Sequence, residues 1–135
     1  MKEFNSKELY LEALELTKTI AVIPAPSGFE DKRAEFVLNY VKKIGYDNAY
    51  IDSAKNVIWK LDGETEDYTL FCAHTDVVFP DMDALPLVED DICLWAPGVG
   101  DDTVCVAQML IVCKYLKDRK YKIIHRNYVC LCRKK

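Results

Sequence analysis

Leu9, Ala13, Leu16 and Ile20 recur at spacings of 4, 3 and 4 in a stretch otherwise rich in Glu and Lys. That stripe predicts an amphipathic helix with Ser6 as its N-cap, ending before Pro24. Pro24-Ala25-Pro26-Ser27-Gly28 is turn chemistry, since proline removes backbone donors and glycine permits unusual dihedrals. Read from these residues alone, it is a plain connector between helices. A second helix opening at Ser27 or Gly28 would carry Ala34, Val37, Leu38, Val41 and Ile44 on one face and stop at Gly45.

Beyond Gly45 the period changes. Residues 46–52 and 56–61 predict two short strands, and the acidic residues 62–67 a solvated loop. Residues 68–73 form an apolar run without polar alternation, which predicts a strand covered on both faces. Residues 79–97 hold three prolines and five acids, a long connection in which 86–88 and 92–94 form a small hairpin. Val106, Met109, Leu110, Cys113 and Leu116 then stripe a final helix over 102–118, and residues 122–124 begin another strand. Helix, helix, hairpin, strand, long loop, helix, strand predicts an α/β fold, a mixed sheet flanked by helices. Ligands in such folds collect beyond the carboxyl ends of strands, and His74 lies at such an end.

Composition narrows the function classes. The chain has 135 residues, half of them hydrophobic, enough for one domain with a real core. A net charge of −4 and a pI near 5.2 offer nucleic acid or an anionic membrane no electrostatic purchase, so neither is expected as a partner. The charged start, residues 1–8, has no apolar centre, and no run reaches the ~18 apolar residues of a membrane span, so a cytoplasmic location is expected. Six cysteines, three of them in apolar-patterned segments, are read as reduced thiols rather than a disulfide framework. Residues 121–135 hold five Lys or Arg and no acid. The chain therefore divides into a body, 1–120, and a basic, divergent tail, 121–135. That tail is read either as an aberrant terminus or as a natural one with Cys130 and Cys132 on one side of a short strand.

The chemistry concentrates in Phe71-Cys72-Ala73-His74-Thr75-Asp76 and, further on, Gly98-Val99-Gly100-Asp101-Asp102-Thr103. Residues two apart on a strand share a side, so His74 and Asp76 can touch. A metal-binding imidazole commonly gives its other N–H to a carboxylate, which suits Asp76. A carboxylate after two glycines, as at Asp101, can bridge two cations about 3.5–4 Å apart. The alternatives are a polar cap on the sheet for His74 and a helix N-cap for Asp101 or Asp102.

Together these segments resemble the M20 family of metallopeptidases and aminoacylases, cocatalytic zinc enzymes. The resemblance runs over roughly residues 6–118 and includes the order of elements, Pro26-Ser27-Gly28-Phe29-Glu30 and Asn56-Val57-Ile58. It implies a zinc-exopeptidase-like catalytic domain, here truncated, with two zinc ions per site and hydrolysis of amide bonds in small peptides or N-acyl amino acids. Carried over, His74 is a zinc ligand, Asp101 the bridging zinc ligand and Asp76 the acid that orients His74. The resemblance also implies a cis peptide bond between Asp101 and Asp102. Many members carry lysine where this chain has Thr103, which leaves subgroup and substrate open.

The same resemblance calls for a Glu-Glu pair, general base and ligand, then a further acidic ligand and a distal histidine. The chain has no Glu-Glu pair and no glutamate after Glu89; beyond Asp102 it has only Asp118 and His125. His125, which again ends an apolar run, is a weak rescue ligand. Two ligands hold zinc poorly, so the expectation is an N-terminal fragment of such an enzyme, inactive as it stands. The alternative is a non-catalytic binding domain that keeps the fold and exposes a sheet edge.

Overall fold

A computed structural model of the chain describes residues 5–132. Residues 1–4 of the charged start and residues 133–135 of the basic tail lie outside them.

Helix α1, Ser6–Ala21, is capped one residue earlier than expected: Asn5 Oδ1 accepts the amide of Glu8 at 3.2 Å. It buries Leu16, Thr17, Ile20 and Ala21. Helix α2, Asp31–Lys43, starts later than expected, because Ser27 and Gly28 are committed to a turn in which Gly28 has φ +99°. It buries Ala34, Val37 and Val41, and the chain leaves it through Gly45 at φ +96°. Of the expected strand 46–52 only β1, Tyr50–Ile51, is extended. Residues 46–49 turn instead, with buried Tyr46 donating its hydroxyl to the carbonyl of Cys113 at 2.9 Å. Strand β2 is Val57–Leu61 and strand β3 is Tyr68–His74. The small hairpin forms as β4, Val88–Glu89, and β5, Leu94–Trp95. A wide helical turn, Val99–Thr103, leads into α3, Val104–Asp118.

The last strand lies further on than expected. Residues 122–124 are connection, their carbonyls at Ile123 and Ile124 accepting the amide of Glu64, and the strand is β6, Arg126–Cys132. It enters the middle of the sheet, whose order is β1-β2-β6-β3. β6 pairs antiparallel with β2 and parallel with β3, so the sheet is mixed.

Val57, Trp59 and Leu61 alternate with less buried neighbours, and the register sets Leu131 beside Val57 and Val129 beside Trp59. One sheet face thus joins α1, α2 and α3 in a single core. β3 departs from expectation. It is the sheet edge, and Tyr68, Leu70 and Phe71 are exposed, with only Ala73 buried. A continuous apolar run permits cover on both faces but does not supply it; these residues have a neighbouring strand on one side only. The six cysteines are free thiols. No helix among the described residues is long and apolar enough to cross a membrane.

Candidate metal centre

His74 is the last residue of β3 and stands opposite Cys132 at the carboxyl end of the parallel pair. The chain then turns down through Thr75 and Asp76, both buried, and is pinned where the Val77 amide donates to the Ala25 carbonyl at 2.8 Å. Asp101 arrives from the other side on the turn before α3. Gly98 makes this approach possible: it sits at φ +68°, and a Cβ there would lie 2.3 Å from Val77 Cγ1. The Asp101–Asp102 peptide is cis.

These residues converge on one imidazole. His74 Nδ1 lies 3.1 Å from Asp76 Oδ1, and its Nε2 lies 2.8 Å from Asp101 Oδ1. The backbone amide of His74 donates to Asp102 Oδ2 at 3.1 Å. Asp76 is shut away, its side chain 2% exposed, whereas that of Asp101 is 84% exposed. Partial burial of His74 opposes its positive charge. The hydrogen bond to Asp101 and the charges of Asp76, Asp102 and Asp101 together outweigh that and raise its pKa above the ordinary histidine value. His74, Asp76, Gly98 and Asp101 line a concave pocket of about 360 Å³ with Val78, Phe79 and Ala96 at its sides.

The structure therefore brings together His74, Asp76 and Asp101. It does not bring His125, which is at the far end of the β3–β6 pair with Nδ1 3.1 Å from Thr65 Oγ1. Two residues that the pattern of the chain did not single out also reach the site. Ser27 Oγ donates to Asp76 Oδ2 at 2.5 Å, and Arg33 Nη1 donates to the Thr75 carbonyl and to Thr103 Oγ1, each at 3.1 Å. The Pro-Ser-Gly turn reads as a helix connector and as one element in the family-like order, and neither reading gives Ser27 a place at the site. Arg33 lay hidden among the charged residues of α2.

An imidazole nitrogen and a carboxylate are zinc-type donors, so this set fits part of a zinc site. It does not fit a whole one. Among the described residues no group of three or more His, Cys, Asp or Glu side chains is arranged to hold a metal ion.

Solved structures share this architecture. An aminopeptidase from Bacillus cereus ATCC 10987 aligns with a TM-score of 0.75 at 16% identity, over 90% of this chain and 35% of that one. A tripeptidase from Staphylococcus aureus gives 0.73 at 20% identity, over 90% and 35%. An M20 family metallo-carboxypeptidase from Sulfolobus solfataricus gives 0.73 at 16% identity, over 90% and 30%. The chain spans about a third of the length of these proteins. At such identities the likeness establishes the fold alone, a mixed α/β sheet flanked by helices shared with part of each of these proteins. No curated protein matches the chain in sequence.

The model of peptidase family M28 matches residues 56–131, and the chain belongs to that family of zinc peptidases. The motif resemblance was to M20 and the matching family model is M28; the two agree at the level of a zinc peptidase.

Proposed function

We propose that the chain is the N-terminal part of an M20-type cocatalytic zinc metallopeptidase domain, whose complete form cleaves amide bonds of small peptides or N-acyl amino acids. The observation that carries this reading is the meeting of His74, Asp76 and Asp101 at the carboxyl end of β3. His74 Nε2 and the Asp101 carboxylate would contribute to holding zinc, and Asp76 would orient the ring. Zinc, when bound, supplies Lewis-acid polarisation of the scissile carbonyl.

The chain's own residues do the rest of what it can do. Asp76 Oδ1 stands 3.1 Å from His74 Nδ1, where it would accept the proton of that nitrogen and leave Nε2 turned toward the pocket. Gly98 and the turn after it bring Asp101 within reach of that nitrogen. No Glu-Glu pair follows in the sequence, and Asp76 and Asp101 are both engaged by the His74 ring, so this chain is expected to be inactive by itself. The small-peptide substrate class is supported by relatives of the same fold described as an aminopeptidase and a tripeptidase.

The purified chain, incubated with dipeptides and N-acyl amino acids with and without zinc, tests both parts. The expected result is no turnover, together with a zinc-dependent change at His74 that His74→Ala removes. Zinc-dependent turnover abolished by His74→Ala would overturn the inactivity. A His74 ring indifferent to zinc would overturn the metal reading. In that case a non-catalytic binding domain becomes the better reading, one favoured by the exposed β3 edge at Tyr68, Leu70 and Phe71.

A further inference from the structure

Asp76 has two carboxylate oxygens and both are engaged. Oδ1 faces His74 Nδ1 at 3.1 Å, and Oδ2 accepts the Ser27 hydroxyl at 2.5 Å. Ser27 is 49 positions away in sequence, in the turn between α1 and α2. That turn is locked against the end of β3: Pro26 and Val77 form a parallel bridge, the Val77 amide donates to the Ala25 carbonyl, and the Phe29 amide donates to the Pro26 carbonyl. Buried Glu30 closes it from behind by accepting the Gly28 amide at 2.6 Å. Arg33, 1% exposed, holds the carbonyl of Thr75, the residue before Asp76.

A carboxylate anchored through one oxygen has one orientation left for the other. Freed of that anchor, it turns about its Cβ–Cγ bond and shares its acceptor lobes between positions. A neutral imidazole has a single N–H, and the acceptor that is better placed decides which nitrogen keeps it. His74 faces two: at Nδ1 the buried, anchored Asp76, whose Oδ1 and main-chain carbonyl lie 3.1 and 3.2 Å away, and at Nε2 Asp101, nearer at 2.8 Å but 84% exposed and shared with solvent, so that Asp76 competes for the proton only while it is held fixed.

We propose that Ser27 is a positioning residue for His74, acting through Asp76: by pinning Oδ2 it makes Oδ1 the fixed acceptor of the Nδ1 proton and leaves Nε2 with its lone pair toward the pocket. The inference deepens the metal reading given above and rests on it for its purpose, though not for its test. Serine is the smallest side chain that reaches Asp76 from this turn with a donor. Threonine keeps the hydroxyl and alanine removes only that atom from an exposed position, so the fold is not at stake.

The test is ring-nitrogen NMR on the ¹⁵N-labelled full chain in alkaline solution, where imidazole is neutral, with His74 signals assigned by their loss in His74→Ala. Wild type is expected to hold the Nδ1–H tautomer. Ser27→Ala is expected to give a mixture of tautomers at unchanged thermal midpoint, and Ser27→Thr to restore the single form. Zinc alone, titrated into the same samples, is expected to move the Nε2 signal about 10–100-fold less readily in Ser27→Ala. A single Nδ1–H tautomer in Ser27→Ala, the same as wild type, overturns the proposal. A wild-type ring that ignores zinc overturns the metal reading instead, and the tautomer comparison still judges Ser27.

Discussion

His74 and Asp102 are joined through the backbone: the amide of His74 donates to Asp102 Oδ2 at 3.1 Å while the neighbouring Asp101 reaches the imidazole of the same residue. The two carboxylates on either side of one cis peptide therefore hold one histidine at two points, main chain and ring. Asp102→Ala should cost about 1–2 kcal/mol by stranding that amide at the strand end, whereas Asp102→Asn, which keeps an acceptor oxygen, should cost less than half as much. Urea unfolding of the two variants checks this, and equal losses would count against it.

Arg33 ties together segments far apart in sequence. Its Nε donates to the Ile23 carbonyl at 2.8 Å and its Nη1 joins Thr75 to Thr103, so one guanidinium spans the end of α1, the Asp76 loop and the Asp101 turn. Burial pulls its pKa down to about 10, and the charge of Asp76 pulls in the opposite direction. Arg33→Met should destabilise the chain by about 3 kcal/mol or more, because it strands several buried acceptors and removes the buried charge that attracts Asp76. Arg33→Lys should lose less, since it keeps the charge without the fork. Denaturant midpoints decide between them.

Asp52 organises the turn between β1 and β2. Its Oδ1 accepts the amides of Ala54 and Asn56, each at 2.9 Å, and its Oδ2 the Asn56 side chain at 2.9 Å. Slight burial pushes its pKa up, but these bonds together hold it below the ordinary aspartate value. A depressed folded-state pKa means that the stabilisation is present above the unfolded value, about 4, and is lost as pH falls through the folded one. The stability difference between wild type and Asp52→Ala should thus be constant near neutrality and shrink in acid below about pH 4. A difference that stayed constant throughout the acid range would contradict this.

The β3 edge should make the chain associate. Leu70 is 55% exposed and Phe71 51% exposed, on a seven-residue strand without an inward charge or proline to blunt it. Leu70→Lys should reduce self-association in light scattering while shifting stability by no more than about 0.5 kcal/mol. Unchanged scattering would place the contact elsewhere.

Much of the secondary structure was legible because it follows from periodicity. The stripes Leu9-Ala13-Leu16-Ile20 and Val106-Met109-Leu110-Cys113-Leu116 became the core-facing sides of α1 and α3, with Leu9, Ala13, Met109 and Leu116 only partly buried. Boundaries that depend on a distant partner did not come out. Ser27 was a candidate helix start until its hydroxyl met Asp76, and the strand expected at 122–124 was displaced to 126–132, where it pairs on both sides.

Sequence alone determined the chemistry at its own positions: an apolar run ending in His74-Thr75-Asp76, a glycine-bounded Asp101, and the lack of a later Glu-Glu pair. Those are properties of local order, and local order is what a sequence states directly. Tertiary structure alone decided that β3 is an exposed edge, that His125 stands at the opposite end of the strand pair, and that Ser27 and Arg33 support the site. Each of these depends on which segments become neighbours. That outcome is set by strand order and packing across the whole chain, and no window of residues carries it.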